Sequence, residues 1–329
     1  MKNIEEIHII PIIPAPPSSE FGAEQTKKGF ADGLIELGKL LPNVVVIDTD
    51  VAKATRSADF QKIYPERHFN AGVAEQNMLS VAAGMSLEGF IPFATSFGMF
   101  ITTRGGDQLR NSICYPKANV KVAATHCGIS TGGDGASHQI NEDIAICRSF
   151  PNLTIIVPGD YEEAKQATIA AAYFKGPVYL RYGRDTYPIV PEIHGKFEIG
   201  KSRTVREGSD CTILTTGIMV SEGIKASDML KEKGISARVI HFPTIKPLDN
   251  ETVIKAAKET KFLVTVEEHS VIGGLGEAVA GVTAEHHPTK VYRIGINDVF
   301  GQSGQSQELL DLYGLRAINI VDKVLEVSK

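Results

Sequence analysis

From Ala23 onward the apolar residues follow two alternating rhythms. Phe30, Leu34, Leu37 and Leu41 recur every three to four positions, the stripe of one helical face, and "VVVID" (44–48) follows as an unbroken strand-length run. "AEQNMLSVAAGMSLEG" (74–89) predicts a helix of small residues suited to close packing, ahead of a strand in "FIPFAT" (90–95). A helix beyond Phe97 leads to "VKVAAT" (120–125), and "LTIIVP" (153–158) and "PVYLRY" (177–182) are further strands. Between those two, Asp160 and Glu163 have the spacing of a capping box. "DTYPIVPEIHGKFEIG" (185–200), broken by Pro188 and Pro191, reads as a linker. A second series follows: "CTILTTG" (211–217), a helix ending before Gly234, "ARVIHF" (237–242), a helix near 249–260 and "KFLVTVEE" (261–268). Continuous apolar strands alternating with helices predict parallel sheets covered on both faces. The expected fold class is therefore α/β. It has an arm over residues 1–22 and two α/β domains over 23–190 and 191–329, each with a mostly parallel sheet flanked by helices.

Composition narrows the function. A net charge of -5 with no basic block argues against a nucleic-acid surface. Cys114, Cys127, Cys147 and Cys211 lie far apart without a C-x-x-C pair. That suits a reduced, cytoplasmic protein better than a disulfide scaffold or a zinc site. The opening "MKNIEEIHIIPIIPAPPSSEFG" is apolar in part, but Glu5 and Glu6 spoil a basic signal end. Pro11, Pro14, Pro16 and Pro17 break the run well short of the ~18 apolar residues of a membrane span. It reads as an extended arm on a partner, with no membrane association.

Two glycine-rich turns invite phosphate chemistry. "GGLGEAV" (273–279) follows a strand and opens a helix, as a phosphate-binding turn would, but Val279 stands where a third small residue is sought. Close helix–strand packing accounts for the same glycines. Gly133, Asp134 and Gly135 spell the triplet that opens the magnesium–diphosphate motif of thiamine enzymes. That motif needs an asparagine about 25 to 30 residues later to complete an oxygen ligand shell. The window falls on "DYEEAKQA" (160–167), which has none, and Asn152 comes too early. No metal ligand is therefore expected on this chain. His126, Asp134 and His138 instead crowd a loop at a strand's C-terminal end, where open α/β sheets bind ligands.

"FNAGVAEQNMLSVAAGM" (69–85), "FGMF" (97–100), "DQLR" (107–110), "HCGISTGGDGASHQINEDIAICRSFPN" (126–152) and "RYGRD" (181–185) occur in this order. Together they resemble the pyrimidine-binding domain of transketolases, and the remainder resembles the transketolase C-terminal domain. The resemblance implies thiamine diphosphate as cofactor and transfer of a two-carbon ketol unit from a ketose phosphate to an aldose phosphate. It implies that diphosphate and magnesium ligands sit on a separate N-terminal transketolase subunit. It also implies self-association to a dimer, completed by that partner into a heterotetramer.

The resemblance also distributes roles. The aminopyrimidine must become an imino base, which needs a half-buried carboxyl on its ring nitrogen, and Glu75 in "GVAEQNM" suits. The plain alternative is a glutamate stabilising a helix dipole. Phe97 and Phe100, one helical turn apart, would line the pyrimidine by stacking, or else form a core aromatic pair. Asp50 matches a family carboxylate near the cofactor and would equally cap a turn. His126, Asp134 and His138 would reach the sugar, with His138 nearest the reacting carbonyl as a catalytic group and His126 nearer the phosphate. Lys27 and Arg184 match phosphate-binding positions; lysine at 27 lacks the bidentate fork of the usual arginine, and Gly133 replaces a frequent glutamate. Competing readings are the beta subunit of a 2-oxo acid dehydrogenase, a deoxyxylulose-phosphate synthase fragment, and a cofactor-free scaffold subunit. The polyol-suited loop at 126–139 favours the transketolase reading.

Overall fold

The runs 44–48 and 211–215 are buried at every position, as strands covered on both faces must be. They are interior strands of two sheets in the computed structural model, which describes residues 21–328. The arm expected over 1–22 thus falls, but for its last two residues, outside the described residues. The first unit runs β1 (Ala23–Gln25), α1 (Thr26–Leu40), β2 (Val44–Asp48), α2 (Ala52–Thr55), α3 (Ser57–Gln61) and β3 (His68–Asn70). Then come α4 (Glu75–Leu87), β4 (Ile91–Phe97), α5 (Gly106–Gln108), β5 (Lys121–Thr125) and α6 (Asp143–Ser149). It closes with β6 (Thr154–Ile156), α7 (Tyr161–Tyr173), β7 (Val178–Arg181) and β8 (Thr186–Pro188). The second unit has β9 (Arg203–Arg206), β10 (Cys211–Thr215), α8 (Met219–Glu232), β11 (Ala237–His241), β12 (Thr244–Lys246) and α9 (Asn250–Glu259). It ends with β13 (Leu263–Ser270), α10 (Leu275–His286), β14 (Val291–Ile296), α11 (Ser306–Leu312) and α12 (Ala317–Val327).

The first sheet has the order β12-β6-β7-β5-β4-β2-β3 and the second β14-β13-β10-β11-β9. Each is parallel except for one antiparallel edge strand, β12 and β9 respectively. Apolar stripes of α1 and α7, including Phe30, Leu34, Leu37, Ala164 and Ala171, cover one face of the first sheet.

Three local expectations are revised. Phe97 ends β4 instead of lying in the helix; the helical stretch from Phe100 to Cys114 then winds in wide i→i+5 turns on either side of α5. The linker over 185–200 contains β8, which pairs antiparallel with β1 and buries Tyr187. The capping box is only half formed: Asp160 accepts from the Glu163 N–H at 2.9 Å. The Glu163 carboxylate turns instead to the Gly159 N–H at 2.6 Å and to His241 at 2.8 Å, because β11 brings that buried imidazole beside it. In "GGLGEAV" the glycines are closely packed, the alternative to a phosphate turn that the sequence left open. The buried Glu267 carboxyl group of β13 accepts from the Leu275 and Gly276 N–H groups at 2.7 and 2.8 Å, so an internal side chain already fills the α10 N-terminus, although burial raises its pKa to about 7.

The units meet through buried charge. Arg181 at the end of β7 pairs with Asp143 at 2.8 Å and donates to the Glu268 carbonyl at 3.1 Å. The Glu268 carboxylate in turn accepts from the Ser130 N–H at 2.6 Å, anchoring the loop that follows β5. All four cysteines are free and buried. Among the described residues no helix is long and apolar enough to cross a membrane.

Candidate active site

Because β2, β4, β5 and β7 are parallel and in register, their C-terminal ends Asp48, Phe97, Thr125 and Arg181 share one edge. Ligand crevices of open α/β sheets form at such edges. His126, the first residue beyond β5, takes a left-handed backbone at φ 57°, an uncommon conformation for a residue with a side chain. The Thr131 hydroxyl holds it there by donating to the His126 carbonyl at 2.7 Å. The turn lays the imidazole flat on Phe97, with ring centroids 3.8 Å apart, while its Nδ1 shares a 2.9 Å hydrogen bond with the Thr125 hydroxyl. Burial, helped by the nearby charges of Lys27 and Arg184, drives its pKa down to about 3. His126 is therefore neutral at pH 7.

Phe97 stacks on Phe100 at 5.7 Å, and His138 stands edge-on to Phe100 at 5.3 Å and to Phe97 at 6.0 Å. Four rings from β4, the wide helical turn and the loop after β5 thus form one cluster. Glu75, the first residue of α4, is 4% exposed beside them. Its carboxylate lies 3.7 Å from the Arg104 guanidinium, which covers the Phe100 ring at 4.2 Å. Arg104 was not singled out in the sequence. Its role depends on the wide turn at Phe100–Arg104, which the residue pattern does not announce.

On the other side of His126 lies a cleft of about 380 Å³ bordered by Lys27, Thr131, Gly133, Arg184 and Asp185, with Ser306 from the second unit. Lys27 is 8% exposed and donates to the Ala54 carbonyl at 3.1 Å. Burial first, and then the neighbouring Arg184 and Arg56 charges, lower its pKa to about 8. Arg184 donates to the Thr131 carbonyl at 2.7 Å and pairs with Asp134 at 3.1 Å. The structure therefore brings Lys27, His126, Asp134 and Arg184 together, and the ring cluster joins His126 to His138, Phe97, Phe100 and Glu75. Asp50 is held elsewhere on the edge. Its carboxylate accepts from the Asn70 amide at 2.9 Å, with its backbone at φ 67°.

Among the described residues, no group of three or more His, Cys, Asp or Glu side chains is placed to hold a metal ion. Sequence reading also missed Gln139 and Glu268, whose partners come from distant parts of the chain.

Comparison with known proteins adds the family. Residues 23–190 match the transketolase pyrimidine-binding domain and residues 200–320 the transketolase C-terminal domain. A protein of Methanocaldococcus jannaschii described as a transketolase C-terminal section is 50% identical over 306 residues, covering 92% of this chain and 96% of that protein. A subunit of 6-deoxy-6-sulfo-D-fructose transketolase from Clostridium sp. (strain MSTE9) is 37% identical, covering 91% of this chain and 93% of that protein. A solved split-gene transketolase, an inactive β4 tetramer, superposes with a TM-score of 0.85 at 44% identity, covering 93% of this chain and 98% of that one.

Proposed function

The chain belongs to the transketolase family, and from that premise we propose that it is the C-terminal subunit of a two-chain, thiamine diphosphate-dependent transketolase. It would move a two-carbon ketol unit between phosphorylated sugars. The observation that carries this reading is Glu75, a buried carboxylate linked through Arg104 to the stacked Phe97–Phe100 rings. Flat aromatic faces beside one buried carboxyl fit an aminopyrimidine, so the residues present suit the cofactor. When bound, thiamine diphosphate supplies the nucleophilic carbon that opens the ketose carbon–carbon bond.

This chain's own residues then divide the remaining work. Glu75 would hold a proton toward the pyrimidine ring nitrogen, and Phe97 and Phe100 would line the ring. Asp50 would approach the cofactor from the tip of β2. His138, at the edge of the cluster, hydrogen-bonds the reacting carbonyl oxygen. Neutral His126 contacts the sugar between the rings and the cationic cleft, and Asp134 accepts from a sugar hydroxyl. Lys27 and Arg184 hold the phosphate by charge-assisted hydrogen bonds. Magnesium and the diphosphate fall to an N-terminal partner subunit.

Glu75→Ala tests the reading in the assembled two-subunit enzyme. Ketol transfer should fall by the ~10²–10⁴-fold typical of a lost acid–base group, with assembly intact by sedimentation. Near-normal turnover in an assembled variant would remove Glu75 from catalysis and favour a scaffold role.

A further inference from the structure

The cleft around Lys27 and Arg184 is not built by the first unit alone. Residues 301–305, between β14 and α11, and Ser306 at the start of α11 lie against the loop after β5. The Gln139 amide ties the two together, donating to the carbonyls of Ile129 at 3.1 Å, Gly132 at 3.2 Å and Gln302 at 2.9 Å. The fit is tight: a Cβ on Gly135, itself at φ 73°, would come 2.6 Å from the Ser303 hydroxyl. Through this contact Ser306 borders the cleft, 9% exposed, and its hydroxyl has no hydrogen-bond partner. A buried hydroxyl without a partner carries an uncompensated desolvation cost.

The charges around it explain what would satisfy it. Lys27 and Arg184 bring two positive charges, but Asp134 pairs with Arg184 at 3.1 Å and Asp185 borders the same cleft. The four side chains are formally neutral together, so cations alone give an anion little net attraction. An additional donor without an accompanying carboxylate tips the balance. Lys27 has spent one ammonium hydrogen on the Ala54 carbonyl and keeps two. We infer that the second unit takes part in substrate recognition: the Ser306 hydroxyl donates to a tetrahedral oxyanion, the substrate's charged end, held jointly with Lys27 and Arg184. This deepens the function proposed above and rests on its assignment of Lys27 and Arg184 to the anion.

Inorganic phosphate binding to the full-length chain, followed by 31P NMR line broadening at neutral pH, separates the two. Arg184→Ala should abolish most binding. Ser306→Ala should raise the Kd about tenfold, the worth of one hydrogen bond to a charged group. Its melting temperature should stay unchanged or rise, because the hydroxyl contributes no internal bond. A Ser306→Ala protein that binds phosphate like the parent, while Arg184→Ala does not, overturns the role of the second unit and leaves the Lys27–Arg184 assignment standing. A parent protein that takes up no phosphate, or is unaffected by Arg184→Ala and Lys27→Met, overturns both.

Discussion

His126 and Lys27 show how burial sets charge at this edge. Both are more than nine-tenths buried and lose pKa mainly to desolvation, but with opposite outcomes at neutral pH. The imidazole, falling to about 3, is uncharged throughout the working range and acts only as a hydrogen-bonding ring. The lysine, falling to about 8, is still a cation at pH 7 but titrates just above it. The sign for binding follows: below that value Lys27 carries the charge an anionic substrate needs, and above it the charge is lost. The kcat/KM of the assembled enzyme for a phosphorylated sugar should therefore fall as pH rises through about 8. Lys27→Arg, whose guanidinium does not titrate in this range, should carry the high-pH limb beyond the measured window. An unchanged limb in that variant would assign it to another group.

At the scale of elements, α10 shows a glycine whose purpose is contact, not conformation. Gly274 has φ -85°, open to any residue, so alanine there would by backbone entropy alone stabilise by about 0.4–1 kcal/mol. An added Cβ, however, would lie 1.9 Å from the Glu267 carboxylate that caps the helix. Overpacking of this kind costs about 1–3 kcal/mol, so Gly274→Ala should destabilise, measured as a lower urea midpoint at constant m-value. A neutral or stabilised variant would mean that Glu267 is free to move aside. The same element shows what a sequence can disclose. The alternation of helix and strand was legible because strands covered on both faces are apolar along their length, as at 44–48 and 211–215. That Glu267 fills the turn at 273–276 was not, since a carboxylate eight residues away in sequence is paired only by the folded backbone. β8 and β12 were equally hidden. Each has three residues, and each pairs with a strand far away in sequence, β1 and β6. The site divides along the same line. Glu75, Phe97, Phe100, His126 and His138 were readable because contiguous motifs carry them, whereas Arg104 and Ser306 reach their places through a wide helical turn and a contact between units.

At the scale of the whole molecule, the two units are joined by more than a linker. β12 leaves the second unit to pair with β6 at the edge of the first sheet. The buried Arg181, already paired with Asp143, donates across to the Glu268 carbonyl, and the Glu268 carboxylate accepts from the Ser130 N–H, so separating the units would strip buried polar groups of their partners. The unit pair should thus behave as one rigid half of a larger site. What this half exposes is instructive. Val73 is 75% exposed just ahead of α4, and Val81 and Leu87 are exposed along it, so the helix that begins with Glu75 offers apolar surface to another chain. Under the proposed function, a chain that covered the start of this helix would also lie over Glu75 and so couple assembly to catalysis. The isolated chain is therefore expected to self-associate and to lack ketol transfer. Addition of an N-terminal subunit carrying the diphosphate and magnesium ligands should yield a two-plus-two heterotetramer by native mass spectrometry. Activity should then depend on both subunits, thiamine diphosphate and magnesium. Robust magnesium-dependent turnover by this chain alone would refute the division of the site, and Asp134, now paired with Arg184, would have to be reconsidered as a metal ligand.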